Sequence, residues 1–195
     1  MSFFPPDPTD DEIEDIEQTQ SPWWRPSDDE HAAIFPIEET IVINDSVAVI
    51  LSMARVYSNG VEFVIDRRVR RGGADLRAWR QMQSKIQGMF GQYDPDRLRY
   101  GVALGDGQQV IVDQGSGRFG EAPDTHSLVQ TGGGGGGSND TWRFEDGLWL
   151  WPLPPEGPLE VVVQWPAFGV PESHAVLDSA PLRELASRAR PVWGE

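Results

Sequence analysis

Arg67, Arg68, Arg70 and Arg71 fall within five positions, RRVRR, and form the densest cationic feature of the sequence. Guanidinium groups offer paired N–H donors that match carboxylates and phosphates, so the chemistry this cluster could do is anion recognition. On a strand, successive side chains alternate between faces. Arg68 and Arg70 then share an outer face with Glu62 and Asp66, while Arg67 and Arg71 take the opposite face near the strand end. Residues 61–100 hold nine basic and five acidic residues, an island of positive charge in a chain whose formal net charge is −15.

Other reactive groups are thinly spread. His31, His126 and His174 are far apart and match no metal-binding spacing such as H-E-x-x-H. Ser173 adjoins His174, but neighbours on a strand point to opposite faces, and no G-x-S-x-G elbow exists. The absence of Cys excludes disulfides, thiolate zinc sites and cysteine nucleophiles. Asp94, Asp96, Asp106, Asp113, Glu145 and Asp146 fall in expected turns, where carboxylates serve backbone hydrogen bonding. No catalytic residue, metal site or cofactor is expected. The enzymatic alternative is a hydrolase with carboxylates or His126 beneath a Gly-rich lid.

The elements that position these residues read as β-structure from residue 38 onward. Two β-branched runs flank Asn59–Gly60, which predicts a hairpin with a type I′ turn. RYGVAL and QQVIVD flank Gly105–Asp106–Gly107, and LWLWPLP and PLEVVVQW flank Pro155–Glu156–Gly157, which predicts two more hairpins. Trp149 and Trp151, at alternate strand positions, are expected in the core between sheets. Helical spacing of Leu76, Trp79, Met82, Ile86, Met89 and Phe90 predicts one helix after the Arg cluster, with Asp75 at its start. A second helix is expected at SAPLRELASRAR, with Ser179 as N-cap. Six successive glycines, residues 132–137, read as a flexible connector within a loop at 114–140. The fold class these elements predict is mainly β: an antiparallel β-sandwich, immunoglobulin-like or jelly-roll in type, with an inserted helix and a C-terminal helix.

Residues 1–37 form a separate segment by composition. Residues 1–40 carry 12 acidic side chains against the single Arg25, and prolines with few aliphatic residues give too little apolar surface for a core. This segment is expected to be a disordered or draped tail on a single domain at 38–195. Phe3, Phe4, Trp23 and Trp24 are its aromatic islands and candidate partner-binding residues, together with Arg67, Arg68, Arg70 and Arg71. A tail of this length can reach most of the domain surface, so Asp10, Asp11, Glu12, Glu14, Asp15 and Glu17 are expected to screen the Arg patch as a charge-based gate.

The segment LWLWPLPPEGPLEVVVQWPAFGVPE, residues 148–172, resembles the C-terminal signature of a family of uncharacterised actinobacterial proteins. WWRP at residues 23–26, the VYSNGVEF hairpin and a Gly-rich stretch before the Trp strand extend the resemblance over most of residues 22–193. It implies a shared fold and a GC-rich bacterial source, which the 15 Arg against one Lys also fit. It brings no activity or catalytic residue.

The expected function is that of a non-enzymatic, cytoplasmic protein–protein interaction module. An acidic aromatic tail and an Arg-bearing sheet face would contact another protein. A nucleic-acid or phosphoanion binder gated by the tail is the alternative. No run of about 20 apolar residues is present for a membrane helix, and MSFFPPDPTDDEIEDIE is acidic where a secretory leader is basic, so no membrane partner is expected.

Overall fold

Alternation of apolar and polar residues gives strands, and a computed structural model of the chain, which describes residues 21–86, 94–112 and 122–193, shows how they are layered. The strands are β1 (Glu30–His31), β2 (Ala33–Ile43), β3 (Val47–Val56), β4 (Val61–Arg70), β5 (Arg99–Ala103), β6 (Gln109–Ile111), β7 (Ser127–Gly137), β8 (Thr141–Trp151), β9 (Pro158–Trp165), β10 (Val170–Asp178) and β11 (Arg190–Pro191). A five-stranded sheet runs β2-β3-β4-β8-β7 and a four-stranded sheet β10-β9-β5-β6, with every neighbouring pair antiparallel. β1 and β11 form a small ribbon. The larger sheets stack as a sandwich around one core, to which Leu51, Phe63, Ile65 and Leu148 contribute from one layer and Val102, Val161, Val163 and Trp165 from the other. Mainly β-structure in an antiparallel sandwich is therefore the observed fold, as the hydrophobic alternation predicted.

Helix α1 (Leu76–Ile86) follows β4. Asp75 caps it, its Oδ1 accepting from the Ala78 N–H at 2.7 Å. Trp79 is fully buried, and the Gln83 amide oxygen accepts from the indole N–H groups of Trp142 (2.9 Å) and Trp79 (3.2 Å), which ties α1 to the start of β8. Met89 and Phe90, expected in this helix, lie outside the described residues. Helix α2 (Ala180–Ala186) buries Leu182. Ser179 occupies the N-cap position, as expected, but its hydroxyl makes no cap bond; it donates instead to Pro155 O at 2.6 Å and holds the linker between the sheets.

Four expectations are corrected. Neither Asn59 nor Gly60 has positive φ, so the β3–β4 turn is not type I′. Tyr57 N–H donates to Gly60 O, and glycine is required at position 60 because a Cβ there would run into the Trp149 ring and Leu150 O. The hairpin expected at Pro155–Glu156–Gly157 does not form: β8 belongs to the five-stranded sheet and β9 to the four-stranded one. Pro152, Pro154 and Pro155 supply no N–H for a ladder, and the chain crosses there from one layer to the other. The glycines 132–137 are the second half of β7, paired with β8 residue by residue from Gly132 to Gly137, rather than a flexible connector. Finally, the strands of the domain begin N-terminally of residue 38, since β1 and β2 lie at residues 30–43, while Pro22 and Trp23 drape over the larger sheet.

Candidate anion-binding groove

β4 supplies the charges and its pleat sorts them. Registers with β3 and β8 put Val61, Phe63, Ile65, Arg67 and Val69 on the inner face, and Glu62, Asp66, Arg68 and Arg70 on the outer one. Arg67 was expected to be part of a partner surface, but it lies in the core with its side chain 6% exposed. Its Nε donates to Asp146 Oδ2 at 2.9 Å and its Nη2 to Oδ1 at 3.3 Å. The guanidinium sits 4.5 Å from the Phe144 ring centre and 4.8 Å from that of Trp165, between the two layers. Tyr100 Oη donates to Asp146 Oδ2 at 2.6 Å, and Gln130 Nε2 to Oδ1 at 3.3 Å. Burial, and after it the Asp146 charge, pushes the Tyr100 hydroxyl well above its ordinary pKa. Burial opposes the charge on Arg67, but Tyr100 and Asp146 outweigh it and hold the guanidinium protonated. Asp146, expected in a turn, is thus the acceptor of an interior network.

On the outer face the same strand builds a groove. Arg68 and Arg70 of β4, Arg143 and Thr141 of β8 and Gly136 of β7 line a concave volume of about 460 Å³, which the β2–β3 turn and the apolar residues Val47, Val69 and Trp142 close at the strand ends. Asp66 lies beneath, 8% exposed, and accepts from Arg68 Nη2 at 2.7 Å and Arg143 Nε at 3.1 Å. Burial alone would raise the Asp66 pKa, but the two guanidinium groups hold it below the usual carboxylate value. Arg68 and Arg143 remain 55% and 65% exposed. Arg70 Nε donates to Asp45 O at 2.6 Å, which orients it without neutralising it. Three guanidinium groups therefore face the groove over one carboxylate. Arg71 is turned aside to Asp140, 3.3 Å away. Of the four predicted arginines, the structure brings Arg68 and Arg70 together; Arg143, 73 residues beyond Arg70, is the member that linear clustering missed. It was findable only from the β4–β8 register, in which Arg68 and Arg143 are direct partners.

Trp23 and Trp24 are half-buried against their own sheet. The Trp23 ring centre is 6.0 Å from that of Trp151, Trp149 Nε1 donates to Pro22 O at 2.9 Å, and Ser127 Oγ donates to Trp23 O at 3.4 Å. Trp149 is buried not between the sheets, as expected, but on the outer face beneath residues 22–24, with Tyr57 edge-on at 5.5 Å. Phe3, Phe4 and the acidic residues Asp10, Asp11, Glu12, Glu14, Asp15 and Glu17 lie outside the described residues.

The histidines are placed apart. His126 Nδ1 is 2.8 Å from Gln108 Oε1 and its Nε2 3.2 Å from Leu153 O, so it joins two loops. With residues 132–137 in a strand, no glycine lid covers it. His174 Nδ1 is 2.8 Å from Glu160 Oε2 on the outer face of the smaller sheet. Among the described residues no group of three His, Asp or Glu converges to hold a metal ion, and no helix is long and apolar enough to cross a membrane.

No protein-family model matches the chain, and no curated protein or solved structure gives a significant match. The functional reading rests on the geometry of the groove.

Proposed function

We propose that the protein is a binding module that docks an acidic segment of another protein in the outer groove of the five-stranded sheet. The observation that carries this reading is the convergence of Arg68, Arg70 and Arg143 around one groove above the single carboxylate of Asp66. In a chain of net charge −15, a patch of this sign is local, so attraction acts at short range through guanidinium forks rather than through the field of the whole molecule. That balance favours a short acidic segment over nucleic acid, which needs many phosphates neutralised at once.

Calorimetric titration of the full chain with an oligoglutamate peptide tests this reading, with oligolysine and duplex DNA as controls. Binding to oligoglutamate alone is expected, weakened by at least about tenfold in an Arg68→Glu, Arg70→Glu double variant. Equal binding by the double variant overturns the reading. Preferential binding of DNA, with a steep salt dependence, replaces the acidic segment with phosphate as the ligand.

A further inference from the structure

Among the described residues β7 pairs only with β8, and its other edge differs from the other sheet edges. β2 carries Pro36, Glu38, Glu39 and two register shifts. β10 opens with Pro171, Glu172 and a register shift, and β6 spans three residues. Proline, charge, irregularity and shortness keep an edge from pairing with another chain. Residues 132–137 of β7 have none of these: they are exposed, and they follow β8 without a register shift from Gly132 onward.

The phase of the ladder decides which backbone groups are free. Ser138 N–H donates to Thr141 O at the β7–β8 turn, at 2.7 Å. Bonded and non-bonded positions alternate in an antiparallel pair. Gly132, Gly134 and Gly136 therefore direct their N–H and C=O groups to β8, and Gly133, Gly135 and Gly137 direct theirs to the free edge. Packing explains glycine at two inward positions, because a Cβ at Gly135 or Gly137 would strike the Phe144 or Trp142 ring. Packing does not explain the outward positions: a Cβ at Gly132, Gly134 or Gly136 would meet nothing within 4 Å.

We propose that this edge is a self-association surface, on which two copies of the chain pair antiparallel along β7 about a two-fold axis at Gly135. Gly135 then lies opposite Gly135 of the second copy, and Gly133 opposite Gly137 of the second copy, so every free N–H and C=O of the three edge-directed glycines is bonded. Charge selects the register. Arg143 and Glu145 stand outward on β8, opposite Gly136 and Gly134. Pairing about Gly135 aligns Gly136 with Gly134 of the second copy, so Arg143 faces Glu145 of the second copy across two glycine strands. The β8 backbones are then three strand spacings apart, about 14 Å. That gap holds no side chain, and an outstretched Arg and an outstretched Glu bridge it together; the two-fold repeats the pair. Slipping one copy by two residues in either direction sets Glu145 against Glu145 or Arg143 against Arg143. The outward glycines are the open floor that the two ion pairs cross. Both side chains can swing, since Asp66 keeps Arg68 and Arg55 keeps Glu62 when they do.

Sedimentation equilibrium of the full chain over a range of concentrations, without ligand, tests this independently of the Arg-groove reading. A monomer–dimer equilibrium is expected. Arg143→Glu and Glu145→Arg, each made alone, place like charges across the axis and weaken self-association at least tenfold. An equimolar mixture of the two variants restores unlike charges at both sites and dimerises as a hetero-pair. Hydrogen exchange at the Gly133, Gly135 and Gly137 amides slows as concentration rises, whereas Gly134 and Gly136 are protected throughout. A wild-type chain that stays monomeric overturns the proposal, as do variants that dimerise like wild type or a mixture that does not re-associate.

Discussion

Arg67 Nε lies 2.9 Å from Asp146 Oδ2 inside the sandwich, on neighbouring strands and between two aromatic rings. Such a pair is costly to desolvate, and more costly to break by halves, because one removed partner leaves a buried charge. Arg67→Met alone is expected to lower stability by about 3–5 kcal/mol. Combined with Asp146→Leu, the loss shrinks well below that of the single change. Urea denaturation of the two single variants and the double variant gives the coupling directly.

Tyr100 contributes the third member of this network. Tyr100→Phe keeps the ring and removes one donor to Asp146, at an expected cost of about 1–3 kcal/mol. Because folding raises the Tyr100 pKa above its unfolded value of 10.0, its stabilising effect is complete below pH 10 and lost as the pH rises beyond it. The stability difference between wild type and Tyr100→Phe is therefore expected to narrow in alkali, which denaturation midpoints on either side of pH 10 will show.

On the outer face the sign reverses. Asp66 has a folded pKa below its unfolded value of 3.8, so its ion pairs with Arg68 and Arg143 stabilise the fold above that pH and fade as the carboxylate protonates below it. An Asp66→Asn variant is expected to be less stable than wild type at neutral pH, and to approach it in acid below pH 3.8. The same variant removes the carboxylate beneath the groove and should tighten oligoglutamate binding several-fold at neutral pH, as the calorimetric titration will report.

Residues 22–24 act as a strap over Trp149. Trp23→Ala removes a half-buried ring from Trp151 and is expected to cost about 1–2 kcal/mol by loss of apolar burial. Gly60→Ala drives a methyl into the Trp149 ring and is expected to cost about 1–3 kcal/mol. Thermal melts of both variants, read by Trp fluorescence, check the strap and its floor.

The sandwich was legible because Val61, Phe63, Ile65 and Val69 alternate with Glu62, Asp66, Arg68 and Arg70, interrupted only by the apolar Val64, and the same alternation already set Arg67 apart from Arg68 and Arg70. What it did not show was that a strand position facing the core can hold an arginine when Asp146 stands beside it. That pairing joins residues 79 positions apart and depends on the β4–β8 register. Strand β7 was hidden for a different reason. Glycine has low β-propensity and no side chain to alternate, so six of them carry no pattern, and the strand is set by its ladder with β8, where the Phe144 and Trp142 rings leave no room for a Cβ at Gly135 and Gly137. Trp149 and Trp151 showed the right period but not which face was covered, because their cover comes from residues 22–24, a stretch that composition alone reads as tail.

Binding of an acidic segment by Arg68, Arg70 and Arg143 is read at the guanidinium groups themselves, by a nuclear magnetic resonance titration of the arginine Nε–Hε groups with oligoglutamate. Saturable shifts are expected at Arg68, Arg70 and Arg143, with Arg99 on the opposite sheet unmoved. Silence at all three, or shifts at Arg99 in their place, would contradict it.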